Sequence, residues 1–260
     1  MTGEIPAVQA AVLDKALSVL RGDQRFEAVL GGGSLVHGGF DAYSDLDLVI
    51  VVRPDDYAAI LSQRAAIATS IGGLLAAFTG EHVGEPRLLI CLFGPPLVHV
   101  DLKFVMAADL LRIVERPRIL WEREPGRMSA VLDAAHVHWP DPPAQWFEDR
   151  IWIWLHYGAA KLLRGELFEA LAMLSYLREM VLGPLLHRRA GRPQRGVRRI
   201  ENDAGAAATL LKTMAALDAD AIATALMHAA ELYVALRQDD PPPAPVPQMP
   251  EALRAYLQRG

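Results

Sequence analysis

Residues 31–53 read GGGSLVHGGFDAYSDLDLVIVVR, and the residue types there are ones that can do chemistry. Asp45 and Asp47 stand two apart at the head of an apolar run. On a β-strand their carboxylates leave one face while Leu46, Leu48, Ile50 and Val52 leave the other. Carboxylates held this close raise each other's pKa unless a positive charge lies between them. A divalent cation with oxygen ligands, such as Mg²⁺, meets that need. Upstream, Gly31, Gly32 and Gly33 clear side chains where backbone must come close to a ligand, and Ser34 sets a hydroxyl beside free N–H groups. The chemistry these residues suggest is a phosphate cradle next to a metal site.

Gly33-Ser34, ten intervening residues and Asp45-Leu46-Asp47 resemble the glycine–serine and paired-aspartate signature of the DNA polymerase β-type nucleotidyltransferase superfamily. Ser44, directly before the first aspartate, matches a serine frequent in that family. The resemblance implies that both aspartates and a third carboxylate on a neighbouring strand hold Mg²⁺ and an NTP, whose nucleoside monophosphate passes to a hydroxyl. Downstream, LLICLFGPPLVHVDLKFV reads as two strands, 88–93 and 97–105, joined at Gly94-Pro95-Pro96. In the second, Val98, Val100, Leu102 and Phe104 alternate with His99, Asp101 and Lys103. Asp101 is thereby implied as the third carboxylate, either a metal ligand or the group that takes the acceptor's proton.

The surrounding elements must position these groups. An amphipathic helix is expected over residues 5–20, closed by Gly22, and a strand over Phe26–Gly31 delivers the glycine loop. Residues 35–40 are expected to form a short helix facing phosphate, with His37 and Asp41 in the loop as weaker ligand-contact candidates. Pro54 opens a helix read as running to about residue 77 across the back of the sheet, weakened at Gly72-Gly73. A short helix follows over 107–115, then an edge strand in RILWEREPGRM, giving about five strands. The proline-rich WPDPPAQW, residues 139–146, ends this part. Beyond it helical periodicity covers 146–164, 166–189, 206–217, 219–237 and 251–258. The expected fold is α+β: a small mixed sheet domain with packed helices over residues 1–138, then an all-α bundle over 139–260.

With 260 residues, 52% hydrophobic, the chain can bury a sizeable core. Its net charge of −5 disfavours bulk nucleic-acid binding. The single cysteine, Cys91, cannot form an internal disulfide, and no uncharged apolar run is long enough to span a bilayer. A cytoplasmic protein without a membrane segment is expected. In the bundle, Lys161 and Arg164-Gly165-Glu166 loosely match a helix pair of aminoglycoside and lincosamide nucleotidyltransferases, which implies that Lys161 reaches the triphosphate; a surface lysine is the plainer alternative. Trp152, Trp154 and Tyr157 read as packing residues, and the tryptophan-rich helix as a homodimer seam. Arg188, Arg189, Arg192, Arg195, Arg198 and Arg199 must face an anion: the NTP, an acidic acceptor, RNA or the chain's own acids.

The expected function is Mg²⁺-dependent transfer of a nucleoside monophosphate, AMP from ATP as first choice, to a small hydroxyl-bearing acceptor. A protein- or RNA-modifying, antitoxin-like transferase and a non-catalytic nucleotide-binding protein are the alternatives. Base identity and acceptor are not encoded in any legible side chain.

Overall fold

The computed structural model describes residues 5–38 and 40–258. Gly39, inside the loop helix read over 35–40, and the first four residues of the chain lie outside the described residues. The chain divides into two compact units, residues 1–139 and 140–260.

The first unit runs α1 (Ala7–Gly22), β1 (Phe26–Gly31), α2 (Ser34–His37), β2 (Leu46–Val52), α3 (Tyr57–Ile71), β3 (Leu74–Gly80), β4 (Glu85–Phe93), β5 (Val98–Val105), β6 (Arg112–Ile113), β7 (Arg118–Glu122), α4 (Arg127–Asp133) and β8 (His136–Val137). Among the described residues, six strands form one sheet in the order β3-β4-β5-β2-β1-β7, while β6 and β8 pair separately. The central pair, β2 and β5, is parallel; the other neighbours in the six-stranded sheet are antiparallel. Gln9, Leu13, Ala16, Leu17 and Leu20 recur at helical spacing on α1 and are buried. With Ile60, Ile67 and Ala68 of α3 they cover the sheet face built by Leu46, Leu48, Ile50, Val100, Leu102 and Phe104. Within this unit, among the described residues, the apolar cluster on the opposite face lies at one end. There Ala28, Leu30, Val51 and Val105 pack on Met128 and Leu132 of α4. Asp47 and Asp101 lie on this second face, toward the starts of β2 and β5, outside that cluster.

Two expectations fail here. The helix read from Pro54 to residue 77 ends at Ile71, and Leu74–Gly80 is a sixth strand at the sheet edge. Gly72 and Gly73 sit at φ +87° and +82°, which only glycine adopts cheaply and which ends the helix outright. The helix read over 107–115 is a short 3₁₀ turn, Ala107–Leu111, followed by β6.

The second unit contains α5 (Ala144–Leu163), α6 (Leu167–Leu177), α7 (Gly183–Arg189), α8 (Ala204–Leu211), α9 (Ala219–Leu236) and α10 (Met249–Leu257) around one apolar core. The helix read across 166–189 is interrupted by a π-turn over Arg178–Leu182. Pro184 explains the widening, because it offers no N–H to the ladder and crowds the carbonyl four residues back. Asp203 and Asp218 cap α8 and α9 by accepting from Ala206 N at 3.0 Å and Ala221 N at 2.9 Å. By length and composition α9 is apolar enough to cross a membrane, yet Ile222, Leu226, Ala229 and Tyr233 on it are core residues of the bundle.

At the centre of this core Glu148 is buried. Its carboxylate accepts from Trp152 Nε1 (2.9 Å), the Tyr233 hydroxyl (2.5 Å), Arg237 (3.0 Å) and Val246 N (2.8 Å). Trp154 packs edge-on against Trp146 and Tyr176. The tryptophans are thus largely used inside the unit.

Candidate active site

The parallel register of β2 and β5 pairs Leu46 with Val100 and Asp47 with Asp101. Neighbouring strands lie about 4.8 Å apart, so the two carboxylates rise side by side from one face. Asp45, one residue before β2, comes level with His99, and the imidazole Nδ1 lies 3.8 Å from Asp45 Oδ1. His99 Nε2 donates to Asp101 Oδ1 at 2.9 Å. One imidazole therefore stands between the first and third aspartates.

The glycine loop is bound to the same strand. Gly32 N donates to the Asp47 carbonyl at 2.9 Å. Gly33 turns at φ +53°, ψ −127°, and a Cβ there would come within 1.9 Å of Asp47 Oδ2. Only glycine lets the loop touch that carboxylate. Gly33 N itself donates to Glu115 Oε1 at 2.9 Å, and the other oxygen of Glu115 meets His37 Nε2. Ser34 opens α2 beside this contact.

The remaining candidates are placed as follows. Ser44 Oγ donates to Asp41 Oδ1 (3.1 Å) and accepts from Asp41 N (3.0 Å), so both close the turn that leads into β2. Lys161, in the helical unit, donates to Glu166 at 2.6 Å and to Glu169 at 2.8 Å. Of the arginine block, Arg188 meets Asp240 (2.6 Å), Arg189 meets Asp239 (2.6 Å) and Arg192 meets Asp203 (3.4 Å). Own-chain acids thus take up at least these three arginines, one of the partners that the sequence left open. Lys103, two residues past Asp101, is turned to Glu85 at 2.8 Å. Arg87 and Lys103 together hold the Glu85 carboxyl far below its usual range, at about 2. Cys91 is buried, and burial pushes its thiol up to about 12.

Could these residues hold the divalent cation that the family resemblance implies? Among the described residues, no three His, Cys, Asp or Glu side chains converge on one point as a finished ligand cage. The donor set nonetheless suits a hard cation. Three aspartates share one end of the open face, two of them in direct register, and Asp47 lies in a cradle that a Cβ at Gly33 would fill.

Two residues at the site carried no role in the sequence reading. His99 had a signal, since it sits two before Asp101 and so shares its face. Glu115 had none: it is 82 positions from Gly33, in a segment read as an ordinary helix end.

No protein-family model and no curated protein matches the chain. Among solved structures it is similar to an aminoglycoside 6-adenyltransferase from Bacillus subtilis, at 15% identity over 95% of this chain and 96% of that one, with a TM-score of 0.40. It is also similar to a nucleotidyltransferase-like protein from Exiguobacterium sibiricum, at 10% identity over 97% of this chain and 80% of that one, with a TM-score of 0.39. Likenesses of this strength carry no argument about chemistry, which rests on the chain's own residues.

Proposed function

We propose that this protein is a nucleotidyltransferase that moves a nucleoside monophosphate, AMP in the first instance, from an NTP to the hydroxyl of a small acceptor. The observation that carries this reading is the in-register pair Asp47 and Asp101 beside the Gly33 loop. In it, Asp45, Asp47 and Asp101 would hold Mg²⁺, and Gly32, Gly33 and Ser34 would receive phosphate oxygens. The Gly33 N–H, now given to Glu115, exchanges that carboxylate for a phosphate. A bound Mg²⁺ supplies charge neutralisation of the triphosphate. The acceptor oxygen attacks the α-phosphorus, the bond to the bridging oxygen of the leaving group breaks, and pyrophosphate departs. Asp101 would complete the cation's ligands and take the acceptor's proton. Lys161 is engaged by Glu166 and Glu169 within its own unit, and the reading does not draw on it.

The arginine block gives little support to RNA or an acidic acceptor, because Arg188, Arg189 and Arg192 are matched by Asp240, Asp239 and Asp203. The acceptor in this reading is a small polyhydroxylated compound. The test is to incubate the protein with Mg²⁺, each α-labelled NTP and a panel of amino sugars and polyols, and to follow label transfer and pyrophosphate release. Transfer that is lost in Asp47→Asn and Asp101→Asn supports the reading. NTP binding with no release of pyrophosphate across a broad panel would reduce the protein to a nucleotide binder.

A further inference from the structure

We propose that His99 is a positioning residue that orients the Asp101 carboxylate and so sets the affinity of the site for its divalent cation. This deepens, and rests on, the reading of Asp45, Asp47 and Asp101 as cation ligands. On β5, Asp101 is flanked in register by Asp47 on one side and by the apolar Ile90 of β4 on the other. Neither neighbour donates a hydrogen bond that would fix a carboxylate. His99, on the same face two residues earlier, supplies one: its Nε2–H reaches Asp101 Oδ1 at 2.9 Å. The bond takes one oxygen of Asp101 and fixes the plane of the group. The same ring faces Asp45 Oδ1 at 3.8 Å, beyond hydrogen-bonding range but close enough to tie the first aspartate to the third. His99 is itself paired in register with half-buried Leu92, which sets one side of the ring's surroundings.

A carboxylate ligand whose orientation is fixed by a hydrogen-bonded partner binds its metal more tightly than one that must be ordered on binding. Loss of such a partner typically weakens metal affinity by about 10- to 100-fold. His99 is 44% exposed in its side chain and belongs to no apolar cluster, so its replacement removes this contact without opening the core.

The test is Mn²⁺ binding to the full chain, followed by electron paramagnetic resonance of free Mn²⁺, for the wild type, His99→Ala, His99→Gln and Asp47→Asn. Thermal unfolding without metal checks that each variant is folded. The proposal expects His99→Ala to bind Mn²⁺ about 10- to 100-fold more weakly with an unchanged metal-free unfolding midpoint. His99→Gln, whose amide can reach where Nε2 does, should recover most of the loss. Unchanged or tighter binding by His99→Ala, while Asp47→Asn loses the metal, overturns the positioning role and leaves the metal site standing. A glutamine variant as weak as the alanine one also overturns it, because the Nε2 contact would then not be the cause. A folded wild type that binds no Mn²⁺ removes the metal-site reading and this proposal together.

Discussion

Gly33→Ala should separate the site from the scaffold. Gly33 sits at φ +53°, ψ −127°, a conformation that costs an L-residue about 1–3 kcal/mol. For a unit of this size that lowers the unfolding midpoint by roughly 3–10 °C. A second cost is specific to the position. The new Cβ would stand 1.9 Å from Asp47 Oδ2 and 2.9 Å from its Cγ, so the Asp47 carboxylate must move or the loop must lift away. Gly84→Ala is the control for positive φ alone: it is left-handed at φ +73°, ψ +14°, and a Cβ there meets nothing within 4 Å. Both variants pay for backbone strain; only Gly33→Ala disturbs Asp47. The assay is thermal unfolding with and without Mg²⁺ and ATP. Ligand at about a hundred times its dissociation constant adds roughly 2.7 kcal/mol to stability. The wild type and Gly84→Ala should show that ligand-dependent rise, and Gly33→Ala should lose it. If Gly33→Ala keeps the full rise, the contact between loop and Asp47 is not part of the binding site, and the reasoning from the glycine cradle is refuted.

Other outcomes follow from the same geometry. Glu148→Ala strips the acceptor from Trp152, Tyr233, Arg237 and Val246 N at once and leaves Arg237 partly buried without its partner. It should cost the helical unit about 3–5 kcal/mol in urea unfolding followed by tryptophan fluorescence; a loss under ~1 kcal/mol would show that the network relaxes onto water. Glu85 has its folded pKa held at about 2, below the usual carboxyl value of 4.5, by Arg87 and Lys103. Its contribution to stability is therefore complete above pH 4.5 and fades as pH falls from there toward 2. Glu85→Gln should be less stable than wild type at pH 6 and should converge with it across that acid window; parallel urea midpoints at both ends would contradict the assignment. Cys91, buried and with its thiol raised to about 12, should resist a thiol reagent at pH 8 until the protein is unfolded. Reaction within seconds in the native protein would mean that the β3–β4 side of the sheet opens readily.

What was legible in the sequence was whatever depends on a short period. Alternation in 45–52 and 97–105 put Asp47 and Asp101 on the polar face of apolar strands, and the strands formed there. That the two strands are parallel neighbours with Asp47 opposite Asp101 is a long-range fact, and no local pattern encodes it. The family resemblance implied only that the third carboxylate lies on a neighbouring strand; the parallel pairing and the register come from the structure. The strand Leu74–Gly80 was hidden because LLAAFTG carries good helix formers in Ala76 and Ala77 and continues an alanine-rich helix. As an exposed edge strand it shows no alternation of buried and exposed positions over Leu75–Phe78. The arginine block left several partners open, the chain's own acids among them, for a related reason. Its charges look unmatched along the chain, while Asp239 and Asp240 that neutralise Arg189 and Arg188 lie about fifty positions away. Glu115 is the same case at the site itself, a carboxylate brought to Gly33 by topology alone.

In the proposed function Asp47 and Asp101 form one cation-dependent nucleotide site. Isothermal titration of each NTP into the wild type, Asp47→Asn and Asp101→Asn, with Mg²⁺ and again with EDTA, tests it most directly. At least one NTP should bind the wild type, EDTA should abolish the heat, and both variants should fail to bind while keeping the wild-type fold. NTP binding that survives EDTA and both substitutions, or no binding of any NTP to the wild type, would contradict it.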